Sequence, residues 1–436
     1  MNGASTPLRS LPRVVVVGGG FAGLAVTRAL RNAPCQVILF DRQNHHLFQP
    51  LLYQVATAAL SPADIAQPIR SILRRQDNVQ VVLGEVEAVD LARRIVQVGE
   101  DEVPYDWLVL APGVTHAYFG NDHWAPRAPG LKTVDDALEI RRRILLAFEG
   151  AELEDDPEAR EAKLTFVIVG GGPTGVELAG ALREIAAQTI PRDFRRVDTS
   201  TARIILMEGQ DRLLPGMSRR ASARALEHLE RMGVEVRLEA FVTDMDDAAV
   251  TVGEERFPAA NVIWAAGVQG SPLASSLGVE LDRQGRVMVE PDCSVPAHPE
   301  VFVIGDLANL TDPGTGRPVP GVAQGALQMG RFVGDLMVEA LAQGKPLEVR
   351  RPFHYVDKGT MATIGRARAV ADIGELSFGG FFAWFLWSTV HVLYLVGFRN
   401  RLLVMVNWAW QWLIQARGAR LITGNPRLRL TRQADL

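Results

Sequence analysis

The sequence predicts an α/β protein built on two parallel sheets that each open on a glycine-rich turn, followed by a helical C-terminal segment. Three observations carry that expectation. Val14-Val15-Val16-Val17 runs straight into Gly18-Gly19-Gly20-Phe21-Ala22-Gly23. Phe166-Val167-Ile168-Val169 runs in the same way into Gly170-Gly171-Gly172-Pro173-Thr174-Gly175. From Gly379 to Phe398 no residue carries a formal charge. Unbroken β-branched runs suit strands buried on both faces of a parallel sheet. The spacing G-x-G-x-x-G turns such a strand into a helix.

Each turn can hold a pyrophosphate on the N–H groups of a helix N-terminus. Gly18, Gly20 and Gly23 would do so in the first half, and Gly170, Gly172 and Gly175 in the second. Gln36–Phe40 reads as the next strand and ends at Asp41; Arg203–Met207 ends likewise at Glu208. A carboxylate at that strand end accepts hydrogen bonds from ribose hydroxyls. Glu208 would also repel a 2′-phosphate, which favours NADH over NADPH, although nearby Arg212 weakens the preference slightly. One such turn is weak evidence. Strand, turn, helix and acid twice in order predict two Rossmann-like dinucleotide-binding domains, with electrons passing from one bound dinucleotide to the other.

The duplication continues. Trp107–Leu110 leads into Ala111-Pro112-Gly113, and Val262–Trp264 into Ala265-Ala266-Gly267. Small residues there let the chain pass close beneath a nucleotide. Val301–Ile304 ends at Gly305-Asp306, where the glycine admits close approach and the carboxylate can bond the ribityl chain of a flavin.

These motifs resemble the two-dinucleotide-binding flavoproteins related to glutathione reductase. Within that group the chain resembles the type II NADH:quinone oxidoreductases, the NADH dehydrogenases that pump no protons. The closer likeness rests on the stretch Asn44–Ala56, the run Ala323-Gln324-Gly325-Ala326-Leu327-Gln328, Asp357-Lys358-Gly359 and Gly397–Arg401. It extends from about Val14 to Ile422, with one departure at Pro112, where many relatives carry a small or hydroxyl residue.

The resemblance implies FAD in the first fold, with Gln49, Pro50, Ala111, Gly113, Gly305 and Asp306 around it. It implies NADH in the second, with Ala266 and Gly267 completing that site, and a membrane quinone as acceptor. Gln324 and Gln328 are spaced i, i+4 and share a helix face, so their amides could bond a quinone carbonyl without adding charge. Lys358 matches the position expected near the flavin edge that becomes negative on reduction. Glu177 matches a residue that seats NADH and relays a proton, but its place near a helix start equally suits capping. His45 and His46 receive no catalytic role. Two other functions remain open: a reductase of a soluble protein acceptor, and a membrane-docked redox sensor without catalysis.

A chain of 436 residues has room for several domains. The expected boundaries are 10–125 and 291–350 for the flavin domain, 126–290 for the NADH domain and 351–436 for a membrane-anchoring domain. A net charge of −4 argues against a nucleic-acid surface. Cys35 and Cys293 are the only cysteines; with no CxxC pair there is neither a redox dithiol nor a metal cluster. Met1–Pro12 lacks the apolar run of a signal peptide, so the expectation is a peripheral protein on the cytoplasmic face of the cell inner membrane. Ala151–Glu158 reads as a solvated helix end and linker. The oligomeric state is open, a homodimer included.

The C-terminal residues change character. Twenty residues of helix from Gly379 would reach ~30 Å, the depth of a bilayer core. Leu402–Ile414, with Trp408, Trp410 and Trp412, is too short to span. Arg399, Arg401, Arg417, Arg420, Arg427, Arg429 and Arg432 surround these runs, and tryptophan and arginine both favour the headgroup zone. Ser388, Thr389 and His391 sit awkwardly for lipid in the middle of the first run. An in-plane anchor, a transmembrane span and a soluble core helix are the three readings. The resemblance implies the first, a monotopic anchor of amphipathic helices.

Overall fold

Residues 11–343, 349–414 and 417–423 are described in a computed structural model of the chain. In chain order, β1 (Arg13–Val17) turns into α1 (Phe21–Ala29), then come β2 (Gln36–Asp41) and the short α2 (Leu52–Ala56). Next are β3 (Val79–Leu83), β4 (Trp107–Leu110) and β5 (Thr165–Val169), which turns into α3 (Pro173–Glu184). β6 (Arg203–Met207), β7 (Val234–Arg237), β8 (Asn261–Trp264) and β9 (His298–Val303) precede α4 (Ala323–Gln343). The chain ends in β10 (Thr360–Thr363), β11 (Ala369–Ile373), β12 (Leu376–Gly380), α5 (Phe381–Tyr394) and α6 (Phe398–Ile414).

Two compact units result. The described residues of Met1–Leu47, Gln67–Thr115 and Val268–Asp357 form the first; those of Phe48–Ala66, His116–Gly267 and Lys358–Leu436 form the second. The first holds a sheet in the order β9-β4-β1-β2-β3, all parallel, with the short strand Ser294–Val295 antiparallel on the β9 edge. β1 therefore has β2 on one side and β4 on the other. The strand order reverses between β1 and β4, which is where a doubly wound sheet opens its binding crevice. Val14, Val15 and Val16 are fully buried, as strands covered on both faces require. Behind them α1 and α4 cross closely. A Cβ on Gly330 would sit 2.4 Å from Ala22 O, and one on Gly334 2.4 Å from Ala29 Cβ, so glycine sets the approach of the two helices.

The second unit repeats the plan in the order β7-β6-β5-β8, again parallel. Val167 and Ile168 are fully buried at its centre. β10, β11 and β12 form an antiparallel sheet of the same unit.

Four segments group differently from the expected boundaries, among them 116–125, which falls in the second unit, and 351–357, which falls in the first. Phe48–Ala66 joins the second unit, because Tyr53 and Gln54 hydrogen-bond Thr363 and Trp408. The stretch after Val268 joins the first, because Leu273, Ala274 and Leu277 enter its core and Ser276 Oγ accepts Val89 N–H at 3.0 Å. The uncharged run from Gly379 is divided. Gly379 and Gly380 close β12, α5 takes 14 residues, and α6 begins at Phe398. No helix among the described residues is long and apolar enough to cross a membrane, so the transmembrane reading falls. Ala151–Glu158 covers the end of helix Val134–Glu152 and the capped start of Pro157–Leu164. Arg427, Arg429 and Arg432 lie outside the described residues.

Candidate functional site: two nucleotide cradles and a buried acid

In the first unit, Gly18 leaves β1 with φ +100°, and a Cβ there would come 2.3 Å from Ala111 O. The small residue at the end of β4 and the glycine at the end of β1 thus exist for one another. A Cβ on Gly23 would lie 1.8 Å from Gly18 O, so α1 can start only with glycine there. Gly20 is the opposite case: a Cβ meets nothing within 4 Å, leaving open space above the helix N-terminus. Asp41 braces the turn from the end of β2. Its Oδ2 accepts Gly19 N–H at 2.5 Å and its Oδ1 accepts Gln43 N–H at 2.7 Å, while burial pushes its carboxyl above the usual range.

Gly113 and Gly305 take left-handed backbone, φ +75° and +72°, in this unit. Gly305 packs against Ala22 and Ala326, and Asp306 follows it in a turn at the foot of β9. A tight turn, an open glycine, a helix N-terminus and a carboxylate at the next strand end fit the diphosphate and ribose of FAD. His46, given no catalytic role from sequence, sits here too. It is buried, bonds Gly19 O through Nδ1 at 3.0 Å and stacks edge-on against Phe21. Burial lowers its pKa to about 4, so it is a neutral strut under the glycine turn. The His-His pair in the sequence carried no signal of that contact.

The second unit reproduces the cradle. Gly170 has φ +111° and lies against Ala265, a Cβ on Gly175 would meet Gly170 O at 1.8 Å, and Gly172 faces open space. Glu208 takes the place of Asp41, with Oε2 accepting Gly171 N–H at 2.6 Å and Oε1 accepting Gln210 N–H at 2.8 Å. Arg212 donates to Pro215 O at 2.7 Å, which holds its guanidinium to its own turn. Gly267 has φ +70° and lies under the exposed ring of Phe119, and Ala266 precedes it. Gln49 and Pro50 form a short turn in this unit, where Gln49 Nε2 donates to Lys132 O at 3.2 Å.

The remaining residues fare differently. Gln324 and Gln328 are both half-buried on the first turns of α4. Gln328 pairs both amide atoms with the Val356 backbone, Nε2 to O at 3.0 Å and N to Oε1 at 2.9 Å. It therefore braces the strand-like segment that leads to Asp357. Lys358 Nζ reaches Tyr394 Oη on α5 at 3.4 Å. Glu177 is not in the first turn of α3 and caps nothing on it, so the capping reading is corrected. Its carboxylate turns to β10, accepting Thr363 N–H at 3.3 Å. It is buried, and desolvation raises its pKa to about 8. Both cysteines are free and buried, and burial raises the Cys35 thiol to about 11.

α6 has its polarity turned inside out. On its inner side, Asn400 donates to Ala63 O, Trp408 to Gln54 and Gln411 to Ala59 O. On its outer side Leu402, Met405, Val406 and Trp410 are exposed. α5 likewise exposes Phe381, Phe382, Phe385 and Leu393, whose spacings of three, four and eight residues keep them within about a third of the helix circumference. Polar groups inward and large apolar groups outward make a poor water-facing surface and a good lipid-facing one.

With that geometry in view, the likenesses to known proteins are specific. Residues 12–330 match the pyridine nucleotide-disulphide oxidoreductase family, and residues 358–416 match the NDH2 C-terminal domain. The chain is 46% identical to the type II NADH:quinone oxidoreductase Ndh of Mycobacterium tuberculosis over 97% of its length and 93% of that protein's. It is 47% identical to NdhA of the same organism, covering 94% of this chain and 89% of the relative. In fold it is similar to the structure of NDH2 from Plasmodium falciparum in complex with NADH, with a TM-score of 0.85 at 19% identity, covering 95% of this chain and all of that one. On these grounds the chain belongs to the type II NADH:quinone oxidoreductase family.

Proposed function

We propose that this protein oxidises NADH and reduces a membrane quinone by way of bound FAD, without pumping protons. The observation that carries the reading is the pair of matching cradles, Gly18–Gly23 with Asp41 and Gly170–Gly175 with Glu208, in a chain of this family. When bound, FAD accepts a hydride and releases two electrons; the protein's part is to bind, orient and tune. Gly18, Gly20, Gly23, Asp41, Ala111, Gly113, Gly305 and Asp306 would hold it, with Gln49 and Pro50 assigned to its pocket by resemblance. Gly170, Gly172, Gly175, Ala266 and Gly267 would hold the NADH phosphates and neighbouring backbone, with Glu208 on the adenosine ribose.

By resemblance Glu177, two residues beyond Gly175, would face the nicotinamide of bound NADH. Its pKa of about 8 leaves it able both to hold and to give up a proton near neutrality. Lys358 would supply positive charge for the negative charge that reduction creates. Gln324 would contact quinone directly. Gln328, occupied by Val356, would act by holding the segment before Lys358.

The exposed apolar stripes of α5 and α6 would rest on the lipid in which the quinone dissolves, as a peripheral anchor on the cytoplasmic face. Stopped-flow absorbance tests the whole reading. Anaerobic NADH should bleach the flavin, and a short-chain quinone should restore it in a second, separable phase. Bleaching that no quinone reverses would sink the quinone assignment, and no bleaching at all would sink the enzymatic one.

A further inference from the structure

The second unit contains a cavity of about 120 Å³ that neither nucleotide cradle explains. Tyr53 and Gln54 from α2, Glu177 from α3, Thr363 from β10 and Trp408 from α6 meet on its wall. They are joined in series. Trp408 Nε1 donates to Gln54 Oε1 at 2.8 Å, and Gln54 Nε2 donates to Tyr53 Oη at 3.0 Å. Tyr53 Oη lies 2.9 Å from Thr363 Oγ1, which lies a long 3.5 Å from Glu177 Oε1.

The direction of this chain is decided at its far end. An indole N–H only donates, so the Gln54 atom it meets must be the carbonyl oxygen. That settles an amide orientation which geometry alone leaves ambiguous, and it turns the Gln54 NH2 toward Tyr53. The Tyr53 oxygen then accepts, and its single O–H must point at Thr363. Burial raises the Tyr53 pKa above its ordinary value, so that O–H keeps its proton. The Thr363 oxygen accepts in turn, leaving its own O–H to point at Glu177. Every donor in the series faces the carboxyl.

We propose that Trp408 is a positioning residue for Glu177: seated on Gln54, it orients the series so that the Thr363 hydroxyl favours the ionised carboxylate. α6 thereby governs how readily Glu177 holds a proton. Its opposite face is the exposed apolar one, so the helix that would touch lipid also sets the charge of the buried acid. The hydrogen-bond orientation stands by itself; its consequence for turnover rests on the role given to Glu177 above.

Other charges face the same cavity. Glu184, two turns along α3, is paired with Arg417 at 2.8 Å, and Arg366 follows β10. On α5, His391 stacks against Trp387 of the cavity wall, and burial lowers its pKa to about 4. From helix Arg219–Met232, packed on α3, His228 is also held below its usual value by burial. None of these depends on the Trp408 N–H for its own partner.

Trp408→Phe tests the idea, since it keeps an aromatic ring and removes only the donor. The readout is an infrared titration of the Glu177 carboxyl in the full-length protein, assigned by its loss in Glu177→Gln. Without the indole N–H the Gln54 amide is free to turn over, and the Glu177 midpoint should rise by about one pH unit. Tyr53→Phe should raise it similarly, and the double variant should add little to either single change. An unchanged midpoint in folded Trp408→Phe, or fully additive shifts, would overturn the proposal. If Trp408→Phe does not fold, Gln54→Leu breaks the same link and must give the same rise. Stopped-flow reduction by NADH separates the two ideas. Normal reduction of Glu177→Gln would remove Glu177 from the reaction while leaving the infrared shift intact.

Discussion

Arg417 and Glu184 form a buried ion pair, Nη2 to Oε2 at 2.8 Å, with the Arg417 Nη1 also donating to Thr57 O at 2.8 Å. Their side chains are only 10% and 14% exposed. Glu184 Oε1 accepts the Arg366 N–H as well. The pair ties the segment after α6 to α3 and to the turn after α2. Removing one partner strands a buried charge, whereas the intact pair is weak evidence of net stability. Arg417→Met should therefore cost about 3–5 kcal/mol in chemical unfolding. Arg417→Lys should recover only part of it, because one ammonium cannot serve two acceptors in the fork geometry of arginine. Equal stability of Arg417→Met and wild type would refute the tie.

The glycines separate folding from binding. Gly23→Ala and Gly175→Ala place a Cβ 1.8 Å from a carbonyl oxygen, so both should yield protein with disrupted turns and, for Gly23→Ala, no bound flavin. Gly20→Ala and Gly172→Ala meet no protein atom within 4 Å. They should fold normally yet weaken FAD retention and raise the KM for NADH respectively, each about tenfold. Flavin content after purification, together with steady-state kinetics, decides between these patterns.

Glu177 should make stability fall with pH. Its folded pKa of about 8 stands above the ordinary 4.5, so between those values the folded state holds a proton that the unfolded state has lost. The stabilisation is complete below about pH 4.5 and declines by up to ~1.4 kcal/mol per pH unit until the group ionises near 8. Glu177→Gln should remove that slope. Denaturant midpoints for the two proteins at pH 5, 6.5 and 8 test it, and parallel profiles would count against the raised pKa.

Replacing Glu208 should weaken NADH rather than create NADPH use. Glu208→Ala removes the proposed ribose acceptor and its two backbone contacts, to Gly171 and Gln210 N–H. It should lower kcat/KM for NADH about 10- to 100-fold, or about 1.4–2.7 kcal/mol. Arg212 is bonded to Pro215 O and is not free to greet a 2′-phosphate, so NADPH should gain little. A variant that prefers NADPH would contradict that placement.

The outer stripe of α5 and α6 should bind lipid. Phe382→Glu with Trp410→Glu alters two residues exposed by 66% and 60% and touches none of the hydrogen bonds on the inner side. Flotation with anionic vesicles should fall at least tenfold, while NADH oxidation with a water-soluble quinone stays near wild type. Undiminished flotation would move the lipid contact elsewhere.

Much of the cradle geometry was legible because it is local. In each half the strand, the glycine turn, the helix and the acid lie within one stretch of chain, and each residue type has a reason there that a few neighbours decide. Gly20 and Gly172 open, Gly23 and Gly175 closed, is what the G-x-G-x-x-G spacing demands. Glu177 was not legible in this way. Its partner Thr363 lies 186 residues away, and near a helix start a carboxylate reads as a cap until the helix phase is known. Gln328 is similar: the i, i+4 pairing with Gln324 was right, but a backbone segment 28 residues on takes its amide. His46 gave no sign at all, since a buried imidazole under a glycine turn differs from a surface one only by what folds over it.

By itself, then, the sequence determined the class of the protein. It specified two parallel sheets with nucleotide turns, acids that suit ribose, no redox dithiol, and an aromatic tail with an uncharged run flanked by arginines. Those features depend on short-range sterics and on burial of continuous apolar strands. The tertiary structure alone decided which groups share a proton, where the tail breaks and which way its helices face. Ending β12 at Gly379-Gly380 and the helix at Tyr394 cut the apparent span to the 14 residues of α5, with α6 as a separate helix from Phe398. Packing then gave α6 a polar inner side, because only the folded second unit offers Gln54, Ala59 and Ala63 to bond it. Hydrogen bonds and desolvation act between groups brought close in space, and chain order does not record that distance.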